Sequence, residues 1–249
     1  MIIDTSEFVK VLKKATLNFS IGTVQLLFDN GKIRSRMVSE ASDVVVLLDM
    51  NNDVFDQAND SIEFNFIEPN VNIIPFINLI DGEEADINIG NEKITLINGS
   101  QRSNMFFCSP QIVNVFGSDD VKKDTEYFLT IDVDDNFINA YAKIKKIGSQ
   151  FNNVYFNVEG GKFVIEASDR TNRYSNSLRV DLVDGVDESD LSMRYNLRTF
   201  IDLMTVINGD ATNFKINFTY IKEQDRGMLY AEKNDSSEKY ILMSSREGA

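Results

Sequence analysis

The feature that most restricts this chain is a repeated pairing of one amphipathic helix with one tight hairpin. In the later copy, Asp134–Ser149 (DDNFINAYAKIKKIGS) opens on acids and closes on lysines, the polarity that suits a helix dipole. At about 100° per residue, Phe137, Tyr141 and Ile144 share one face. Asn139, Lys143 and Lys146 share the opposite face, and Lys145 falls on the flank. In the earlier copy, Asp4-Thr5-Ser6-Glu7 has the D-x-x-E spacing of a capping box, after a short apolar strand at Met1–Ile3. Phe8, Leu12 and Ala15 then line one side of a helix, and Lys10, Lys13 and Lys14 the other. Each helix is followed by strand, acid-containing glycine turn and strand: Val24–Ile33 (VQLLFDNGKI) and Val154–Phe163 (VYFNVEGGKF). The spacing from valine to Gly-Lys is the same in both. One such hairpin means little, but helix and hairpin twice in register predicts an internal duplication.

A second helix completes each half. Asn70–Asp81 (NVNIIPFINLID) precedes Gly82, a plausible helix C-cap, and Asn196–Asn208 (NLRTFIDLMTVIN) precedes Gly209. Strands are expected in the first half at Val44–Leu48, Ile62–Phe66, Ala85–Ile89, Lys93–Ile97 and Met105–Cys108. The second half should hold them at Glu126–Asp132, Asn176–Asp181, Asn213–Tyr220, Met228–Glu232 and Tyr240–Met243. Between the halves, Gln111–Asp124 (QIVNVFGSDDVKKD) reads as a surface connector pinned by Ile112, Val113, Val115 and Phe116. The expected division is therefore 1–118, including the start of a connector at about 111–124, and 119–249.

Two domains of this size can each bury a core. Only three prolines and no low-complexity tract argue against disorder. No apolar run is long enough to cross a bilayer, and the N-terminus lacks a secretory pattern, so a cytoplasmic protein without a membrane partner is expected. The single cysteine, Cys108, fits a packed thiol in a reducing compartment. The absence of histidine removes Ser-His and Cys-His catalysis and His-ligated metals. No glycine-rich phosphate loop follows a strand. The acidic runs Asp132-Val133-Asp134-Asp135 and Asp187-Glu188-Ser189-Asp190 could hold a hard cation. More often such runs are solvated loops and helix starts, and the first reads as an N-cap and first turn. The expectation is a protein with no catalytic residues, metal or cofactor.

A net charge of −14 usually speaks against nucleic acid. Yet the lysines of the two first helices are segregated from the acids. Phosphate contact needs only cations at loose spacing, and it carries no sequence information.

Two repeats of helix, hairpin, strands and second helix, joined by a crossing connector, resemble the DNA sliding clamps over nearly the whole chain. Pro69–Ile87 (PNVNIIPFINLIDGEEADI) is similar to the clamps of T4-type tailed phages. Asn136–Gly148, Gly161–Ser168 and Met193–Thr205 resemble proliferating cell nuclear antigen. The resemblance implies an α+β clamp fold, two similar domains each with two helices packed on antiparallel sheets, closing as a homotrimeric ring. It further implies a processivity factor that encircles duplex DNA, with a replicative DNA polymerase and a clamp loader as partners and, in T4-type phages, late transcription.

On that model the DNA-facing residues are Lys10, Lys13, Lys14, Lys143, Lys145, Lys146 and Arg198, although Arg198 could instead pair with Asp202 at i, i+4. The second helix of the first half departs from the basic pattern, carrying Asn72 and Asn78 and no Lys or Arg. The subunit seam would join Ser103–Ser109 to Ser175–Leu182, filled by Phe106, Phe107, Leu178 and Val180; ordinary core strands are the other reading. The partner-peptide pocket would comprise Met37, Val38, Val113, Val115, Phe116, Met243 and Ser244. Three other readings stay open: a monomeric clamp-fold processivity factor, a viral structural or assembly protein of tandem β-rich domains, and an enzyme using carboxylates and a metal.

Overall fold

A computed structural model describes residues 1–56, 61–117, 126–172, 176–187, 191–221, 224 and 226–245. The chain forms two units: Met1–Ser118 with Ser236–Glu238, and Asp119–Asp235 with Lys239–Ala249.

In the first unit, strand β1 (Ile2–Asp4) leads into helix α1 (Thr5–Ala15). Asp4 caps the helix, its Oδ1 accepting from the Glu7 N–H at 2.9 Å, and that bond holds the Asp4 carboxyl below the ordinary range. The hairpin follows as β2 (Thr23–Asp29) and β3 (Lys32–Val38). Its turn residues Asn30 (φ 50°) and Gly31 (φ 71°) are both left-handed, the two-residue turn that matches strand twist. Strands β4 (Val44–Asn51) and β5 (Ile62–Ile67) complete one sheet in the order β5-β2-β3-β4. Strands β6 (Glu84–Ile89), β7 (Lys93–Asn98) and β8 (Gln101–Phe106) form the other, ordered β1-β6-β7-β8. Phe8 of α1 meets Phe64 and Phe66 edge-on, and Phe28 packs against Phe55 and Phe64. Burying each such ring stabilises the fold by about 1.5–3 kcal/mol.

The second unit repeats the plan. Strand β9 (Leu129–Asp132) leads into α4 (Asp135–Ile147), capped by Asp134, whose Oδ1 accepts from the Phe137 N–H at 2.9 Å. The run Asp132–Asp135 is thus a strand end, a cap and a first turn, as its spacing indicated. The hairpin is β10 (Asn153–Glu159) and β11 (Lys162–Ser168), turning at Gly160 (φ 57°) and Gly161 (φ 76°). In both hairpins the lysine after the turn reaches an aspartate on the next strand. Lys32 lies 3.1 Å from Asp49 of β4, and Lys162 lies 2.9 Å from Asp181 of β12 (Ser177–Asp184). Strands β12-β11-β10-β13, with β13 at Leu191–Asn196, make one sheet. Strands β14 (Phe214–Ile221), β15 (Arg226–Lys233) and β16 (Glu238–Met243) follow β9 in the second sheet, in the order β16-β15-β14-β9. Helix α5 (Leu197–Ile207) is capped by Asn196, and Phe156, Phe163, Phe200 and Phe218 form the aromatic centre.

Several expectations need correction. The helix expected over Asn70–Asp81 is two single turns, α2 (Pro69–Asn72) and α3 (Ile74–Ile77), broken at Ile73 (φ −121°). Pro75 lacks an N–H, and its ring would collide with the Val71 carbonyl in a continuous helix. Gly82 (φ 93°) lies beyond the helix rather than capping it. Strand β8 starts four residues before the expected Met105, straight after the Asn98-Gly99 turn. β13 was not among the expected strands, although Met193 and Tyr195 alternate into the core. The expected connector residues 118–124, Ser175 of the expected seam, and Glu188–Asp190 of the second acidic run lie outside the described residues.

Candidate nucleic-acid interface

Helices α1 and α4 bury Phe8, Leu12 and Ala15, and Phe137, Tyr141 and Ile144, as their periodicity predicts. Their opposite faces carry the lysines, which serve different ends. Lys13, Lys143 and Lys146 are exposed, and among the described residues no carboxylate lies within ion-pair distance of them. Lys10 pairs with Glu7 one turn earlier, and that contact raises its pKa. Lys145 folds back over the Tyr141 ring, 5.7 Å from its centre. Lys14 turns away, its Nζ 2.7 Å from Glu238 Oε1, so its charge is engaged within the protein. Arg198 Nε lies 3.1 Å from Asp202 Oδ2, the i, i+4 alternative foreseen from spacing. The sequence located both lysine faces, but the diversion of Lys14 depends on a partner 224 positions away.

The expected seam strands are both sheet edges: among the described residues β8 pairs only with β7, and β12 only with β11. Phe106 is 63% exposed. Phe107 stacks on Phe64 at 5.5 Å and lies 5.7 Å from Phe66. It is half-buried, on the opposite face from Phe106 because the chain alternates faces there. Leu178 and Val180 are half-buried.

Of the expected pocket residues, Met37 is fully buried, its Sδ accepting from the Gln25 N–H at 3.3 Å. The connector runs along β3: Val38 N–H donates to Asn114 O at 3.1 Å, Phe116 N–H to Arg36 O at 2.9 Å, and Met37 bridges Val115. Val113 is buried, Val38 and Phe116 half-buried and Val115 exposed, so the apolar lining accessible here is Val38, Val115 and Phe116. Met243 and Ser244 belong to the second unit. Ser244 is engaged there by Gly227, whose N–H donates to its Oγ at 2.7 Å.

Among the described residues no group of three or more Cys, Asp or Glu is placed to hold a metal ion, and no helix is long and apolar enough to cross a membrane.

No protein-family model and no curated protein sequence matches this chain. Solved structures do. The PCNA of A. fulgidus, solved with the C-terminal region of FEN-1, superposes with a TM-score of 0.63 at 16% identity, covering 100% of this chain and 98% of the other. The PCNA2–PCNA3 complex of Sulfolobus tokodaii gives a TM-score of 0.62 at 14% identity, covering 100% of both chains. The DNA polymerase III beta chain of Streptococcus pneumoniae gives 0.67 at 13% identity, covering 99% of this chain. This chain spans 64% of that protein's length.

Proposed function

We propose that this chain, which has the fold of the DNA sliding clamps, is a processivity clamp: a homotrimeric ring that encloses duplex DNA and tethers a replicative polymerase. The observation that carries the reading is the twinned pair α1 and α4, each with a buried apolar back and lysines on its exposed face. Among the described residues of α1 and α4, Lys13, Lys143 and Lys146 are the cations left for phosphates. So few contacts give weak, salt-sensitive, sequence-independent attraction, which permits sliding. Enclosure then supplies retention, which reconciles a charge of −14 with a DNA function. The open edges of β8 and β12 support closure by strand pairing between copies, and the connector along β3 supports a docking site for the polymerase and a clamp loader. The proposed site of action is the cytoplasm, host cytoplasm for a viral chain.

The test is retention on closed circular duplex, compared with the same circle after one cut. The expected result is retention on the circle and loss through the free ends. Equal retention on both overturns the reading. A solution mass of three times the 28.3 kDa chain separates the ring from a monomeric factor of the same fold.

A further inference from the structure

The outer edge of β5 is only partly used by the chain's own groups. β5 ends its sheet and, among the described strands, pairs with β2 alone. In an antiparallel pair every second residue turns its N–H and C=O away from the partner strand. On β5 those residues are Glu63, Asn65 and Ile67. Ile67 O accepts from Asn72 Nδ2 at 3.0 Å, and Asn65 O accepts from the Cys108 N–H at 2.9 Å. Glu63 is the next in line, and among the described residues its outward N–H and C=O have no hydrogen-bond partner. Cys108 thus begins a further strand on this edge, and the chain then leaves through Ser109 into the 3-10 turn Pro110–Ile112. Proline has no N–H with which to continue the pairing.

The space left beside Glu63 is an open cavity of about 350 Å³. Ile62 and Glu63 line it, with Ile89 at the end of β6 and Phe107, Cys108 and Pro110 after β8. Ile89 is 38% exposed and Phe107 is half-buried, so apolar surface faces water beside a carboxylate. That carboxylate is held in place by neutral donors: Glu63 Oε1 accepts from Asn65 Nδ2 at 2.7 Å and from Gln25 Nε2 at 3.1 Å. Among the described residues no cation lies within ion-pair distance of it. The edge therefore offers a visitor three things at once: a free backbone donor and acceptor, an apolar recess, and an uncompensated negative charge.

We infer that the edge of β5 at Glu63 is a docking site for an extended segment of another protein, which adds a strand where Cys108 leaves off. Strand alternation sets the pattern of that segment. The residue opposite Glu63 shares its face, so it carries Lys or Arg against the free carboxylate. Its two neighbours point to the other face, where Phe107 stacks on Phe64, so they are apolar. A nucleic acid does not fit, because its phosphates would meet an acid here. The site is separate from the connector along β3, and it does not rest on the ring reading.

The experiment titrates the full chain with the acetylated, amidated peptide Thr-Val-Lys-Val-Thr, followed by calorimetry and by amide hydrogen exchange. The expected result is saturable binding that slows exchange at the Glu63 amide. Methylating the backbone nitrogen of the peptide's lysine removes one strand hydrogen bond without changing charge, and binding should be lost. Glu63→Gln should weaken binding about tenfold, the scale of one charge-assisted hydrogen bond. Ile89→Ser should weaken it too; both side chains are exposed, and circular dichroism confirms the fold of each variant. Equal binding of the methylated peptide, or of the rearranged peptide Lys-Thr-Val-Val-Thr, reduces the effect to charge attraction and overturns the inference. No saturable binding at up to about 1 mM peptide overturns it as well. Protection of Glu63 that grows with protein concentration in the absence of peptide assigns the edge to a second copy and overturns the inference in that way. None of these outcomes bears on retention by circular DNA, so the clamp reading stands or falls separately.

Discussion

Lys14 Nζ sits 2.7 Å from Glu238 Oε1, and Glu238 is only 1% exposed. A lysine on a face otherwise turned to solvent thus neutralises a carboxylate sealed in the protein. Removing one member of such a pair leaves a buried charge short of its counter-charge, which costs about 3–5 kcal/mol. Lys14→Met is therefore expected to lower stability by roughly 3 kcal/mol, because Lys14 itself is half-buried. Denaturant midpoints check this, and a loss below that of an ordinary surface substitution would show the pair to be incidental.

Lys13, Lys143 and Lys146, which have no ion pair among the described residues, should set the salt dependence. Removing one phosphate contact flattens the slope of log affinity against log salt by about 0.9. Alanine at Lys13, Lys143 and Lys146 should reduce the slope cumulatively. Lys32→Ala, which removes a lysine engaged by Asp49, should leave it unchanged. Equal effects from both changes would mean that α1 and α4 do not meet the duplex.

Gly227 opens β15 against Met193 of β13, and a methyl group there would overlap the Met193 Cγ and Sδ. Overpacking of this kind costs about 1–3 kcal/mol. Gly227→Ala should lower the melting temperature, and adding Met193→Ala should restore part of the loss. A double variant no better than the single one would locate the strain elsewhere.

Burial, reinforced by Glu232 and Tyr230, pushes the Tyr127 phenol up to about 12, and burial raises Tyr195 as well. An unfolded chain releases those protons near pH 10. Across pH 10–12 the folded protein therefore holds protons that the unfolded chain has lost, and stability falls as pH rises through that window. Unfolding at a series of pH values should show the fall, and Tyr127→Phe should make it shallower.

The parts of the fold legible in sequence are those set by neighbours. Asp4 and Asp134 cap helices through groups three residues away, and both hairpins turn at two consecutive residues able to adopt positive φ. Competition between local signals was harder to read. Around Ile73 and Pro75 a helical apolar period coexists with a residue that cannot continue a helix, and the proline prevailed. The candidate site divided the same way. Periodicity found the faces of Lys13 and Lys143, but which lysines remain available depended on Glu238 and on the Tyr141 ring. Phe106 and Phe107 are adjacent and equally apolar; only the pairing of β8 with β7 decides which points outward.

The first unit borrows a short segment from far along the chain. Ser237 O accepts from the Asp49 N–H at 2.8 Å, and Glu238 receives Lys14. During synthesis the hairpin of β2 and β3 can form as soon as it leaves the ribosome, within about 1–10 μs. The outer edge of β4 must wait for some 190 further residues, because Asp49 and Ser237 are that far apart in order of translation. The half made first is thus among the last to be finished, and open edges stay exposed on the nascent chain until its late segment arrives.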